Sequence, residues 1–254
     1  MIGEIKADKL HGSVQLAARG IELLARACGV FSGASSGDAL PQIANLVRRI
    51  RGLRPSMAAP GNWALIFYTE LRERLRANAE GTIETAGGEI AASLLDRLDA
   101  NAERMAEAAK PLLRKANGIM TLSYSSSIER VILTASPPSC RITVAESRPL
   151  LEGRNMLRRL REGGREVRCI TDAEIGLFMR EADILLLGAD TVCSDLAVVN
   201  KTGSFPAALA ARHFEKPCTA AADTFKISGL ISSEKIVLEE GPGEEIWEEE
   251  SAIS

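Results

Sequence analysis

The sequence has few of the residues that mark metal-binding, disulfide-bonded or membrane proteins. It contains two histidines and five cysteines among 254 residues, and no two cysteines form a CxxC pair. An odd number of unpaired cysteines is typical of free thiols in a reducing compartment. The sequence contains no run of about 18 apolar residues, the length needed to span a bilayer. Glu4 and Asp8 lie where a signal peptide needs an apolar segment. We therefore expect a cytoplasmic protein without a metal site.

The sequence also has no large excess of positive or negative charge and no dinucleotide-binding signature. The net charge is -3 and the isoelectric point is near 5.7, so the chain has no electrostatic footprint of a nucleic-acid binder. No GxGxxG follows the first predicted strand, so no cofactor is expected. With 46% hydrophobic and 26% charged residues, the chain has enough apolar surface for one or two packed domains and is not disordered.

The first 115 residues predict helices. Apolar residues recur at three and four positions, as in VQLAARGIELLARA, and Ala, Leu, Arg and Glu dominate. Gly, Pro and Ser predict breaks at 28–38, at 52–62 and around Gly81 and Gly87. We expect an all-α N-terminal domain of about four helices over residues 1–115.

Residues 116–254 predict an α/β domain. Short strand-like runs (GIMTLS, RITVAES, EVRCI, DILLLGA and PCTAAAD) alternate with segments of helical length. This alternation implies right-handed crossovers and a parallel sheet, which we interpret as a Rossmann-like, doubly wound domain. The last two runs are apolar throughout, as expected for strands covered on both faces. The acidic end EEGPGEEIWEEESAIS is expected to be a solvated tail.

A polar cluster follows the strand DILLLGA. Asp190, Asp195, Asn200 and Lys201 come within a dozen residues of one another. Ligands of doubly wound sheets bind outside the carboxyl ends of the strands, so the cluster marks a candidate site. The segment TGSFPAALAARHF then predicts a helix whose first N–H groups, near Gly203 and Ser204, would suit a phosphate.

Three ordered motifs resemble one superfamily. GADTVCSDLAVVNKTGS (188–204), AADTFK (221–226) and VAESRP (144–149) are similar to the regulatory subunits of eukaryotic translation initiation factor 2B and to ribose 1,5-bisphosphate and methylthioribose 1-phosphate isomerases. KLHGSVQLAARG (9–20) and LRPSMAAPGNWAL (53–65) more faintly resemble the N-terminal "RGA" and "TRP...N" signatures. A helical domain before a Rossmann-like domain is the architecture that this resemblance implies.

The resemblance implies two catalytic residues, a Cys in a "THC" strand end and the Asp of "GAD". The Asp matches Asp190, whereas MTLSYSSS (120–127) places Leu122 and Ser123 where the isomerases have His and Cys. A hydroxyl ionises several units above a thiol and needs a base to move protons from carbon, and neither His11 nor His213 is close in sequence. Isomerase chemistry would require Ser123, Tyr124 or water in place of the thiol.

The resemblance also implies ligand-binding residues. Asn200 and Lys201 match a pair that contacts substrate hydroxyls and phosphate, and Arg148 matches an arginine that grips phosphate, although Pro149 could simply fix it on the surface. Lys226 would pair with the same anion or with Asp223. Ser125 either caps a helix or donates a hydrogen bond to a phosphate, and the two roles are compatible. His11 and Arg54, in the fainter N-terminal match, are either ligand-binding candidates or ordinary surface or interdomain residues.

Three functions are compatible with these residues. The first is a noncatalytic or regulatory protein that binds a sugar phosphate or nucleotide and forms a homodimer or a hetero-oligomer with related subunits. The absence of a thiol at Ser123, and of an "FDxTPP" motif after Lys226, favours it.

The second is an aldose–ketose isomerase for ribose 1,5-bisphosphate or a related sugar phosphate, with Asp190 as one proton carrier. The third is a purely structural scaffold. None of them predicts binding to nucleic acid or membranes.

Overall fold

The computed structural model describes residues 2–8, 11–33, 35–77 and 82–247. Contacts divide the chain into two units: residues 1–102, 190–199 and 223–237 form the first unit, and residues 103–189, 200–222 and 238–254 form the second. The sequence-based boundary at residue 115 remains a prediction. Among the described ranges, no helix is long and apolar enough to cross a membrane.

Helices dominate the N-terminal half, as predicted, and alternate with strands afterwards. The helices are α1 Ile2–Ala7, α2 Ser13–Val30, α3 Ser36–Leu53, α4 Ala58–Ala77, α5 Ile83–Leu113, α6 Ser126–Ala135, α7 Gly153–Glu162, α8 Ile175–Met179 and α9 Ser204–His213. The strands are β1 Gly118–Leu122, β2 Arg141–Ala145, β3 Val167–Ile170, β4 Ile184–Leu187, β5 Thr191–Cys193, β6 Val198–Val199, β7 Cys218–Ala220 and β8 Ile227–Ser228.

The first unit packs its helices around one apolar core. Ile21 and Leu24 of α2, Ile43 of α3 and Trp63 and Phe67 of α4 are nearly inaccessible to solvent, as their three-to-four-residue spacing predicts. Ser35 begins α3 in the expected way, because its hydroxyl accepts a hydrogen bond from the Asp38 amide at 3.2 Å. The predicted helical N-terminal region is therefore confirmed.

The helix break predicted at 52–62 is present but shorter, because α3 ends at Leu53 and α4 begins at Ala58, whereas the break predicted around Gly87 is wrong. Pro60 and Gly61 lie within the first turn of α4, where proline is tolerated because the first N–H groups have no intrahelical partner. Gly87 lies inside α5, and a Cβ atom there would come within 2.6 Å of Cys28 Cβ. That glycine is needed for close packing of α5 against α2. Gly81 lies outside the described residues.

The second unit contains a five-stranded parallel sheet in the order β3-β2-β1-β4-β7. Successive residues of β1 pack into different cores, with Ile119 in one and Met120 in the other, because successive side chains of a strand point to opposite faces. The predicted α/β class with a parallel sheet is confirmed. The closer likeness to a Rossmann-like domain stays a prediction.

Strand β7 differs from its prediction. All four residues of β4 are buried, as expected for a strand covered on both faces, but Cys218 and Ala220 of β7 are exposed. Hydrogen-bonded on one side to β4, β7 ends the order of this sheet in the described part of the chain. An apolar sequence of small residues therefore did not distinguish an edge strand from a central one.

The loop after β4 contributes β5 and β6 to a small sheet that the sequence did not predict, and β8 is its third strand. Strand β5 pairs antiparallel with β6 and parallel with β8, and all three belong to the first unit. Strands of two or three residues are too short to give a clear alternating pattern. At the end of the chain, residues 239–247 are exposed except for the half-buried Glu245, and the rest of the predicted acidic tail, 248–254, lies outside the described residues.

Candidate functional site

The predicted site residues fall into two sets, one in each unit. The chain leaves the second unit at Asp190 and returns to it at Asn200. The first unit holds Arg54, Asp190 and Lys226, and the second holds Ser123, Ser125, Arg148, Asn200 and Lys201.

Ser123 and Ser125 lie in the turn from β1 to α6. Ser123 adopts a φ angle of +60°, and its side chain is buried. Ser125 caps α6, because its hydroxyl accepts a hydrogen bond from the Ile128 amide at 3.4 Å. The capping interpretation of Ser125 is therefore confirmed, whereas its contact with a phosphate stays a prediction.

Tyr124, which could replace the thiol, is held in a polar network. Its phenol donates a hydrogen bond to Glu129 Oε2 at 3.0 Å, and Glu129 Oε1 lies 3.1 Å from a guanidinium nitrogen of Arg159. Burial and the Glu129 carboxylate raise the pKa of Tyr124 above its usual value. A phenol in this state is a poor base at neutral pH. Sequence reasoning missed Glu129, which pairs with Tyr124 across one turn of α6.

Asn200 and Lys201 lie at the N-terminal end of α9, as predicted. Asn200 Nδ2 donates to the Ser204 hydroxyl at 2.9 Å, and that hydroxyl donates to the Lys201 carbonyl at 2.7 Å. Gly203 precedes the helix with a φ angle of +100°, a conformation that favours glycine. The Ser204 amide donates to the Lys201 carbonyl at 3.1 Å, and a phosphate contact of the first N–H groups of this helix and of the Lys201 ammonium stays a prediction.

Glu152 pairs with Lys201 and was not predicted. The Lys201 ammonium forms an ion pair with Glu152 Oε1, and the Glu152 side chain is only 10% exposed. Its second oxygen, Oε2, is buried and has no hydrogen-bond partner among the described residues. A buried carboxylate oxygen without a partner is costly, so this oxygen is a natural acceptor for a ligand hydroxyl. The pair joins residues 49 positions apart, which sequence spacing does not reveal.

Arg148 is exposed and follows β2. The amides of Ser147 and Arg148 donate to the two oxygens of Asp172, at 2.9 and 2.7 Å. The Arg148 guanidinium donates to the Ile246 carbonyl at 3.0 Å. The backbone of the ESRP motif is thus fixed by Asp172, whereas the predicted grip of Arg148 on a phosphate stays a prediction.

In the first unit, the backbone of Asp190 is held on both sides. Its amide donates to the Val199 carbonyl at 2.8 Å, and its carbonyl accepts from the Ala58 amide at 3.3 Å. Asp195, the other carboxylate of this loop, accepts hydrogen bonds from the Ser233 hydroxyl and amide at 2.6 and 3.1 Å, which lower its pKa. Asp195 therefore fixes the chain after β8, whereas the catalytic role of Asp190 stays a prediction.

Lys226 is almost fully buried, with 2% of its surface exposed. Burial lowers the pKa of its ammonium group, and the carboxylates of Asp190 and Asp223 act in the opposite direction. Both carboxylates favour the charged form of the ammonium group. The two sequence interpretations of Lys226, an anion contact or a partner of Asp223, both stay predictions.

Arg54 and His11 converge on Asp8. Arg54 donates a hydrogen bond to the Asp8 carbonyl at 2.8 Å, and His11 Nδ1 lies 2.8 Å from Asp8 Oδ2. Asp8 also pairs with Arg19, and its side chain is 7% exposed. The two basic residues are thus fixed next to a buried carboxylate, and a ligand contact of Arg54 remains a prediction.

No group of three or more His, Cys, Asp and Glu side chains within residues 2–8, 11–33, 35–77 and 82–247 could hold a metal ion. The five cysteines are free, and burial raises the pKa of each thiol above its usual value.

The chain is similar to proteins of two named activities. It is 31% identical over 243 residues to a putative translation initiation factor eIF-2B subunit 2-like protein of Pyrococcus abyssi, covering 94% of this chain and 83% of that protein. It is also 30% identical over 192 residues to ribose 1,5-bisphosphate isomerase of Archaeoglobus fulgidus, covering 74% of this chain and 61% of the isomerase.

Solved structures agree with this similarity. The translation initiation factor eIF-2B of Pyrococcus horikoshii OT3 superposes with a TM-score of 0.81 at 28% identity, covering 94% of this chain and 82% of that one. A tetrameric eIF2B-beta2-delta2 complex from C. thermophilum has a TM-score of 0.72 at 17% identity, covering 92% of this chain and 79% of that one, which shows the fold alone. Residues 9–253 match the Initiation factor 2 subunit family, IF-2B, and the chain therefore belongs to that family.

Proposed function

We propose that the chain is a noncatalytic or regulatory member of the family, related to initiation factor 2B subunits, that binds a sugar phosphate or nucleotide. The observation that carries this proposal is the state of Ser123. Its hydroxyl lies where the resemblance to the isomerases implies a thiol, and no hydrogen bond joins it to a carboxylate or imidazole in the described part of the chain. Without such a base, a serine hydroxyl exchanges protons with carbon poorly.

The groups at the start of α9 support ligand binding. The Lys201 ammonium and the first N–H groups of α9 favour an anion, and Glu152 Oε2 offers a buried acceptor. A phosphate needs only the first two, whereas a hydroxyl-bearing ligand also satisfies the carboxylate oxygen. This combination favours a phosphorylated sugar over a simple anion.

Calorimetric titration with ribose 1,5-bisphosphate, AMP and inorganic phosphate tests the binding. We expect Lys201→Met to weaken binding of both organic phosphates about tenfold or more, because it removes a charge-assisted contact. Glu152→Leu should weaken binding of the two ribose compounds and leave inorganic phosphate unaffected or bound more tightly. Lys115→Met, at an exposed lysine of the second unit, is the control. Equal affinities in wild type and Lys201→Met would contradict the proposal.

An aldose–ketose isomerase is the second candidate. The buried Lys226 favours it, because burial lowers the pKa of its ammonium group, and perturbed pKa values are common at catalytic sites. The similarity to ribose 1,5-bisphosphate isomerase points the same way.

NMR of ribose 1,5-bisphosphate with the protein in deuterated water separates the two candidates. A binding protein broadens the ligand signals and leaves the sugar C2 proton in place, which is the result we expect. Ketose formation or deuterium exchange that is abolished by Asp190→Asn would instead establish an isomerase. If no ligand raises the melting temperature, a structural scaffold remains, because any ligand specific for the native state stabilises it.

We further propose that the protein works in the cytoplasm as a homodimer or with related subunits, without direct nucleic-acid or membrane contacts. The family supports assembly, since one solved relative is a tetramer of two kinds of subunit. A net charge of -3 gives no general attraction for nucleic acid.

A further inference from the structure

The loop between β2 and α7, residues 146–152, carries two groups that could hold a ligand. Arg148 lies in its first half, and Glu152, with its buried Oε2, ends it. Ser147 and Leu151 adopt φ angles of +61° and +59°. Residues with a Cβ atom rarely keep this left-handed conformation unless surrounding contacts hold it. The shape of the loop therefore depends on the contacts that hold it.

Asp172 holds the first half of this loop. Its Oδ1 accepts a hydrogen bond from the Ser147 amide at 2.9 Å, and its Oδ2 accepts one from the Arg148 amide at 2.7 Å. Both oxygens of one carboxylate thus bind two consecutive backbone N–H groups, and hydrogen bonds to a charged acceptor are stronger than those between neutral groups. An asparagine could keep only one of the two, because its NH2 group is a donor.

The register of the parallel sheet brings Asp172 to the loop. Ala145 at the end of β2 pairs with Ile170 at the end of β3, and the Glu146 amide donates to the Ile170 carbonyl at 2.9 Å. Ser147 and Asp172 each follow this pair by two residues. Their contact therefore lies beyond the carboxyl ends of the strands, where open α/β sheets bind ligands.

Backbone hydrogen bonds close the loop at its other end. The Leu151 amide donates to the Ser147 carbonyl at 2.9 Å, and the Gly153 amide donates to the Glu146 carbonyl at 3.0 Å. Glu152 lies between these two bonded amides. A contact that fixes Ser147 therefore also limits the positions that Glu152 can take.

We propose that Asp172 is a positioning residue, which holds the loop in the shape that presents Arg148 and Glu152 to a phosphorylated ligand. This inference rests on the proposed function, because it requires such a ligand. Asp172 does not touch the ligand itself. Its negative charge would repel a phosphate, and both of its oxygens already accept amide hydrogen bonds.

Asp183 provides a matched control within the same sheet. Its Oδ2 accepts hydrogen bonds from the consecutive amides of Asn117 and Gly118, at 2.6 and 3.2 Å. Asp183 precedes β4 and Gly118 begins β1, so this contact lies at the amino ends of the strands. Asp172→Asn and Asp183→Asn therefore remove the same kind of contact from opposite edges of one sheet.

Calorimetric titration with ribose 1,5-bisphosphate measures the effect on affinity. We expect Asp172→Asn to weaken binding about tenfold and Asp183→Asn to leave it unchanged, although both variants should unfold at a lower urea concentration. The loss caused by Asp172→Asn should shrink to about threefold or less in an Arg148→Met background, because two residues that act together are not additive.

Unchanged affinity in folded Asp172→Asn overturns the proposal, and so does an equal loss in Asp183→Asn, which would indicate a general structural effect. A loss that is undiminished in the Arg148→Met background also overturns it. A wild-type protein that binds no phosphorylated sugar or nucleotide would instead contradict the proposed function.

If Asp172→Asn does not fold, amide hydrogen exchange of the wild-type protein replaces the variant. Saturation with ribose 1,5-bisphosphate should slow exchange of the Ser147 and Arg148 amides at least tenfold more than exchange of the two amides bound by Asp183. A ligand that needs the loop in place stabilises it against local opening. Equal slowing of both pairs of amides overturns the proposal.

Discussion

The Arg165 side chain caps the C-terminal end of α6, although it lies about 30 residues further along the chain. It is buried, and its guanidinium donates to the carbonyls of Ile132, Leu133, Ser136 and Pro137 at 2.5 to 3.0 Å. These carbonyls lie at or just after the end of α6, where the last C=O groups of a helix lack partners. The positive charge also lies at the negative end of the helix dipole.

We expect Arg165→Met to lower the free energy of unfolding by about 2–4 kcal/mol, since buried carbonyls lose charge-assisted hydrogen bonds. Arg165→Lys should recover only part of this loss, because an ammonium group cannot reach four carbonyls in the fork geometry of a guanidinium. Urea denaturation provides the measurement. Arg158→Met, at an exposed arginine of α7, should change stability by less than about 0.5 kcal/mol, and an equal loss in both methionine variants would contradict this role.

At the scale of elements, the contact between α2 and α5 depends on Gly87. A Cβ atom at that position would lie 2.6 Å from Cys28 Cβ and 2.7 Å from its sulfur, whereas a Cβ atom at the adjacent Gly88 would meet nothing within 4 Å. Both glycines lie inside α5 and replace a residue of higher helix propensity. The two positions therefore separate packing from propensity.

We expect opposite signs for the two alanine variants. Gly87→Ala should destabilise the protein by about 1–3 kcal/mol, because overpacking must move a helix. Gly88→Ala should stabilise it by up to about 1 kcal/mol, because alanine loses less backbone entropy than glycine in a helix. Thermal unfolding followed by circular dichroism measures both changes. Stabilisation by Gly87→Ala would contradict the prediction, because it would show that α2 and α5 accommodate the added methyl group without strain.

Elements were predictable wherever local pattern decided them. The periodicity of α2 and the buried run of β4 determined their type. The charged and polar partners were not predictable, because they come from distant parts of the chain: Asn62 bonds to Phe225, 163 residues away, and Glu152 to Lys201, 49 away. The motifs supplied Asp190, Asn200 and Lys201, whereas Glu152, the partner of Lys201, needed the fold.

At the scale of the whole molecule, the three-stranded sheet of the first unit presents an apolar row. Val198, Val192 and Ile227 lie directly opposite one another in register, and Val198 and Ile227 are 42% and 49% exposed. Leu196 and Leu230, in the adjoining turns, are more exposed still. Such a continuous apolar surface is typical of an interface, and the proposed homodimer would cover it with a second copy.

We expect sedimentation equilibrium to give the mass of a dimer for the wild-type protein. Val198→Glu combined with Ile227→Glu should weaken self-association by at least tenfold, because two carboxylates would have to be desolvated within the interface. Val30→Glu, at an exposed apolar residue at the end of α2, is the matched control and should leave the mass unchanged. Equal dimerisation in all three proteins would place the interface elsewhere, and a monomeric wild-type protein would contradict the homodimer itself.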